Sequence, residues 1–153
     1  PPRWLGTGDR KLDTTLEQID ARAKADPDGF FQQVSARYGV PEQDIRQAKE
    51  THGLGAADVF LATALARATN RPVLGVAEQY KKNQGRGWGV VAKEMGVKPG
   101  SPAFHELKQG ARGSLDHLKA RQRERQRHEA QVRREHGQQE KLVKQGKGPG
   151  KGR

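Results

Sequence analysis

The stretch Ala56-Ala57-Asp58-Val59-Phe60-Leu61-Ala62-Thr63-Ala64-Leu65-Ala66-Arg67-Ala68 decides the fold. It is the most hydrophobic part of the chain, and as a helix it carries Val59, Phe60, Leu61, Ala64 and Leu65 around much of its circumference. A helix with so wide an apolar surface must be enclosed by other elements, so it is expected at the centre of the core.

Toward the N-terminus, the break Gly53-Leu54-Gly55 precedes this helix, and a helix opened by Pro41 precedes the break, with Ile45 and Ala48 facing inward. Gly39 stops an earlier helix that bears Phe30, Phe31, Val34 and Tyr38. Asp26-Pro27 closes a first helix with Leu16, Ile19 and Ala23 at helical spacing from Asp13 onward. Residues 1–11 show no periodic pattern and read as an extended lead-in that docks through the Trp4 indole.

Toward the C-terminus, Asn70-Arg71-Pro72 turns the chain into a helix whose packing face is expected to hold Leu74, Ala77 and Tyr80. Gly85-Arg86-Gly87 leads into a short helix around Trp88 to Met95. Beyond Lys98-Pro99-Gly100, Ser101 suits an N-cap and Pro102 the first turn of a helix with Phe104 and Leu107 inward. No useful segment alternates with a period of two and β-branched residues are sparse, so no sheet is expected. The fold class is therefore all-α: a small orthogonal bundle of short helices over residues 12–110.

After Gly113 the character changes. Leu115 and Leu118 still suit packing on the body, but from Lys119 to Lys141 the chain is Arg, Gln, Glu and His with little to bury. Residues 111–144 are expected to form a long polar basic helix, an arm, and residues 145–153 a disordered tail. With 32% hydrophobic and 31% charged residues, and a mean hydropathy of −1.00, the chain lacks the apolar surface to fold its whole length into one body.

Charge is polarised in the same way. Residues 111–153 hold 13 Lys and Arg against 5 Asp and Glu, a net of +8 out of the chain's +11. A local field of that kind attracts phosphate, anionic lipid or acidic protein. The arm has no aromatic residue to stack on bases, so contact with nucleic acid would be electrostatic and blind to sequence. The expected phosphate contacts are Arg121, Arg123, Arg125, Arg127, Arg133, Arg134, Lys141 and Lys144.

Other chemistry finds little support. Without cysteine there is no disulfide, thiolate nucleophile or zinc-thiolate site. The five histidines, His52, His105, His117, His128 and His136, form no HxxxH or HxxH pair. His117 and His128 share a helical face, but about 16 Å of rise separates them. Ser101, His105 and Glu106 are the nearest approach to a catalytic group, and the cap already accounts for Ser101. No enzyme activity, metal or cofactor is expected. No apolar run reaches the roughly 18 to 20 residues of a membrane span.

The segment Gly87-Trp88-Gly89-Val90-Val91-Ala92-Lys93-Glu94-Met95-Gly96-Val97 matches the first half of a helix-turn-helix, with Ala92 and Gly96 at the spacing that motif uses. Its second half departs from the pattern. Ser101 comes late, behind Pro99-Gly100, and the next helix opens with Pro102, Ala103, His105 and Glu106 rather than with base-reading side chains. Trp88, flanked by glycines, is expected to wedge between helices rather than to stack on a base.

Over residues 40–110, the string Gly85-x-Gly87-Trp88-Gly89-x-x-Ala92-Lys93-Glu94-x-Gly96-Val97-Lys98-Pro99-Gly100-Ser101-Pro102-x-Phe104-His105-x-Leu107-Lys108-x-Gly110 resembles a motif of small bacterial proteins of uncharacterised function, many with export signals. The resemblance implies an exported helical module, periplasmic or secreted, and no known chemistry. The Pro1-Pro2 start, without an initiator Met, leaves room for a removed signal. The motif marks Trp88, Lys93, Lys98, Ser101, His105 and Lys108 as a corner that would receive a protein partner.

The leading expectation is thus a non-enzymatic protein whose arm contacts a polyanion, either nucleic acid or an anionic envelope surface. On that expectation, removing the residues beyond about 113 abolishes binding. The alternatives are an exported interaction or structural protein, and a helix-turn-helix regulator of DNA.

Overall fold

A computed structural model describes residues 5–83 and 85–146. Among them lie seven helices and no strand: α1 (Arg10–Ala25), α2 (Pro27–Tyr38), α3 (Glu42–His52), α4 (Ala56–Thr69), α5 (Val73–Lys82), α6 (Trp88–Glu94) and α7 (Pro102–Lys144). The chain is all-α, a bundle of short helices followed by one long polar helix.

The helix ends follow local chemistry. The Asp9 carboxylate accepts the Leu12 N–H at 3.0 Å and caps α1, so this helix starts three residues earlier than the apolar pattern suggests. Asp26 closes α1 through its backbone N–H and opens α2 through its side chain, which accepts the Gly29 N–H at 3.1 Å. Pro27 then occupies the first turn of α2, where its missing donor costs nothing. Gly39 ends α2 in the left-handed region at φ 66°, a conformation that penalises residues with a Cβ.

Helix α4 is the centre of the core. Ten of its fourteen residues are buried, and it packs against α1, α2, α3 and α5. Truncating Phe60, which is fully buried, would cost about 3 to 5 kcal/mol. Two expectations shift in detail. On α5, Ala77 is buried and Tyr80 packs against the core, but the other buried positions are Val73 and Val76, while Leu74 is only partly covered. The lead-in docks through buried Leu5 and Thr7; Trp4, expected to be its anchor, lies outside the described residues.

The compact unit runs as far as Leu118. On α7, Phe104, Leu107, Gly110, Ala111, Ser114, Leu115 and Leu118 are all buried, at the three- and four-residue spacing of one helical face. Residues 111–118 therefore belong to the body, past the expected boundary at 110. Gln33 of α2 donates to Ser114 inside the core and fastens this part of α7. A cut near residue 113 would remove Ser114, Leu115 and Leu118 from the core, so it would test folding as much as binding.

The second unit begins at Lys119. It is the remainder of α7, mostly exposed, followed by a turn at Gln145 and Gly146. The rest of the expected tail, residues 147–153, lies outside the described residues. Among the described residues, no helix is long and apolar enough to cross a membrane.

Candidate functional site

The Gly-Trp-Gly corner is built as core. Gly87 has φ 88°, and its turn lets the Trp88 N–H donate to the Leu5 carbonyl at 2.9 Å and the Gly89 N–H to the Gly6 carbonyl at 2.7 Å. A Cβ on Gly89 would stand 2.9 Å from the Thr7 carbonyl oxygen, so glycine is what allows the lead-in to approach. The Trp88 side chain is 1% exposed. Its indole N–H donates to Asp58 at 2.9 Å, and its ring stacks on Tyr80 at 4.1 Å between centroids. The other Asp58 oxygen accepts the Gly55 N–H at 3.2 Å, at the start of α4.

The rest of the corner serves the same end. Val91, Ala92, Met95 and Val97 are buried, and the Val97 N–H closes on the Ala92 carbonyl at 2.8 Å across Gly96, whose φ is 87°. Ser101 caps α7: its hydroxyl accepts the Phe104 N–H at 3.2 Å and donates to the Lys98 carbonyl at 2.7 Å. Lys108 pairs with Asp9 at 2.8 Å, and its ammonium is the main reason the Asp9 carboxyl is held below the ordinary range. Lys93, Lys98 and His105 are exposed. The six motif residues are thus not gathered into one site. Trp88, Ser101 and Lys108 are committed to the fold.

The arm has a different organisation. At about 100° per residue, Lys119, Arg123, Arg127, Arg134 and Lys141 fall within an arc of about 80°, with Arg133 and Lys144 on one shoulder. This stripe is about 33 Å long at 1.5 Å per residue. Glu124 and Glu135 lie to one side of it and Glu129 and Glu140 to the other, leaving no carboxylate inside. Among the described residues, none of the seven cations is held in an ion pair. Glu140 is instead within 3.0 Å of His136.

Arg121 and Arg125 do not join the stripe. They lie on the opposite face of the helix, partly buried and already engaged. The arm's apolar residues, Val132, Leu142 and Val143, are exposed and scattered outside the basic arc.

Elsewhere, a groove of about 690 Å³ lies among α1, α2, α3 and α4. Phe30 and Phe31 form its floor, with Glu17, Asp20, Lys24 and Lys49 at its rim. Asp20 caps α4 by accepting the Ala57 N–H at 2.7 Å. Among the described residues, no three His, Asp or Glu side chains converge as a metal site would require.

Reading the sequence alone missed Asp58, the partner of Trp88. A signal was present: an acid within the most apolar helix needs a buried donor, and the indole N–H of a buried tryptophan needs an acceptor. Comparison with protein families, with curated proteins and with solved structures finds no match to the chain.

Proposed function

We propose that this protein is a non-enzymatic nucleic-acid-binding protein that lays one face of its C-terminal arm along the phosphate backbone, without reading base sequence. The observation that carries this reading is the stripe of Lys119, Arg123, Arg127, Arg134 and Lys141. These are five cations on one helical face, with no carboxylate inside the stripe and no ion pair among the described residues.

Two features favour nucleic acid over a lipid surface. An interfacial helix needs an apolar face beside its cations to enter the acyl boundary, and here the neighbouring positions are Gln, Ala, Gly and Glu. The cations also form a narrow line flanked on both sides by carboxylates, which suits a linear track of phosphates better than an enclosing groove or a broad plane. Base reading has no support, because the arm has no aromatic residue.

Salt dependence of binding tests the proposal. Five phosphate contacts on duplex DNA predict a slope of about −4 to −5 in log K against log salt, with little difference between sequences of equal length. The triple variant Arg123→Gln, Arg127→Gln, Arg134→Gln is expected to flatten that slope by about 3. A slope near zero, or tighter binding to neutral-pH anionic vesicles than to nucleic acid, would reject the reading.

A further inference from the structure

A second cationic feature lies in the body, apart from the arm. Between α1 and α7 runs a groove of about 510 Å³ lined by Lys11, Thr15, His105, Lys108, Gln109 and Arg112. Its wall includes Gly113, and the Arg37 side chain of α2 approaches that glycine from outside the lining. A Cβ at Gly113 would stand 2.6 Å from one Arg37 terminal nitrogen and 3.0 Å from its guanidinium carbon. No carboxylate lines the groove.

Two of the carboxylates nearest it are engaged within the fold. Asp9 holds Lys108 at 2.8 Å, and Asp13 accepts the Thr7 hydroxyl at 2.6 Å. Asp116, one turn beyond Arg112 on α7, makes no ion pair among the described residues. The fold thus gathers Lys11, Lys108 and Arg112 around one concavity and holds Lys108 in place by its ion pair. Like charges brought within a Debye length, about 8 to 10 Å, repel one another, and an anion in their midst removes that cost. Fixed donors also reduce the ordering cost of binding.

We infer that this groove is a binding site for a phosphoryl group, carried either by a free nucleotide or by the phosphorylated end of a strand. Lys11 and Arg112 contribute the movable donors, and Lys108 the fixed one. The volume accommodates a phosphoryl group together with part of the molecule that bears it. The inference rests on the body alone and does not depend on the arm's function.

Amide chemical shifts of the full chain at low salt test it, with inorganic phosphate, adenosine 5′-monophosphate and adenosine as probes. Phosphate and the nucleotide should shift the Gln109 and Gly113 resonances saturably, and adenosine should not. The variant Lys11→Gln, Arg112→Gln should weaken this binding about tenfold or more, while the Trp88 indole resonance reports that the fold is intact. The arm variant Arg123→Gln, Arg127→Gln, Arg134→Gln should keep it, so failure at the groove and failure at the arm are read separately. Comparison of a 5′-phosphorylated with a 5′-hydroxyl oligonucleotide assigns the source: preference for the phosphorylated end favours a strand terminus, and equal binding favours a free nucleotide. Shifts that do not saturate, or that persist unchanged in the Lys11→Gln, Arg112→Gln variant, would overturn the assignment.

Discussion

Replacing Gly110 by alanine tests how α7 is seated on the body. Gly110 is buried in α7, and a Cβ there would collide with the Tyr38 hydroxyl oxygen and stand 3.4 Å from the ring carbon that carries it. The tyrosine ring is braced edge-on against Phe60, with centroids 5.7 Å apart, so it has little room to retreat. The added methyl improves helix propensity by up to about 1 kcal/mol, but forcing it against the hydroxyl costs about 1 to 3 kcal/mol. Gly110→Ala alone should therefore destabilise by roughly 0 to 2 kcal/mol.

The Tyr38 hydroxyl is itself buried with no hydrogen-bond partner. Tyr38→Phe should stabilise by about 1 kcal/mol by removing that unsatisfied group. It also removes the colliding oxygen and leaves the ring carbon at an ordinary contact distance. In the Tyr38→Phe background, Gly110→Ala should become neutral or stabilising, for a coupling of about 1 to 3 kcal/mol. Urea unfolding followed by the fluorescence of buried Trp88 measures all four corners of this cycle. Additivity within about 0.5 kcal/mol would refute the packing described.

Three further outcomes are expected. Trp88→Phe deletes the donor to buried Asp58 and part of the ring stacked on Tyr80; it should cost about 2 to 4 kcal/mol, or a melting shift on the order of 10 °C, and leave polyanion affinity unchanged. Burial pushes the Tyr38 hydroxyl up to about 12, so the folded state keeps a proton that the unfolded chain releases near pH 10. Stability should then fall as pH rises from about 10 to 12, by an amount on the order of 2 kcal/mol that is missing in Tyr38→Phe, as read by unfolding at several alkaline pH values. Asp9, lowered chiefly by Lys108, adds stability that is present above the ordinary aspartate range and lost as pH falls through its depressed value. Asp9→Asn should therefore be weaker than the parent by about 1 kcal/mol at neutral pH, and the two melting curves should converge in acid.

The order of helices was legible because each signal was local. The apolar density of residues 56–68 demanded a central helix, and Gly39, Gly53 and Asp26-Pro27 punctuate the chain where their backbone preferences act. The C-terminal limit of the body was not legible. The apolar pattern puts the limit at 110 and the change of character after Gly113, yet Gly110 and Gly113 are helical and lie where Tyr38 and Arg37 approach α7. Glycine serves turns and close approaches alike, and telling them apart requires knowing what packs there. Trp88 reads as a packing residue from its flanking glycines, but its acceptor lies thirty positions away on α4. The arm's charge was plain in the sequence. Its division into a stripe and an engaged opposite face, which sets Arg121 and Arg125 apart from Arg123 and Arg127, follows only from one unbroken helical register. The groove between α1 and α7 joins residues about a hundred positions apart and left no local trace.

Position of charge, as opposed to its amount, is the most direct test of the account. Two full-length variants with the same net charge serve: one neutralises Arg123, Arg127 and Arg134 in the stripe, the other neutralises the exposed body residues Lys82, Lys93 and Lys98. Binding to one duplex is titrated at two salt concentrations. The salt slope should flatten by about 3 in the stripe variant and stay nearly unchanged in the body variant. Equal losses in the two would contradict the account, since the arm would then contribute only bulk charge.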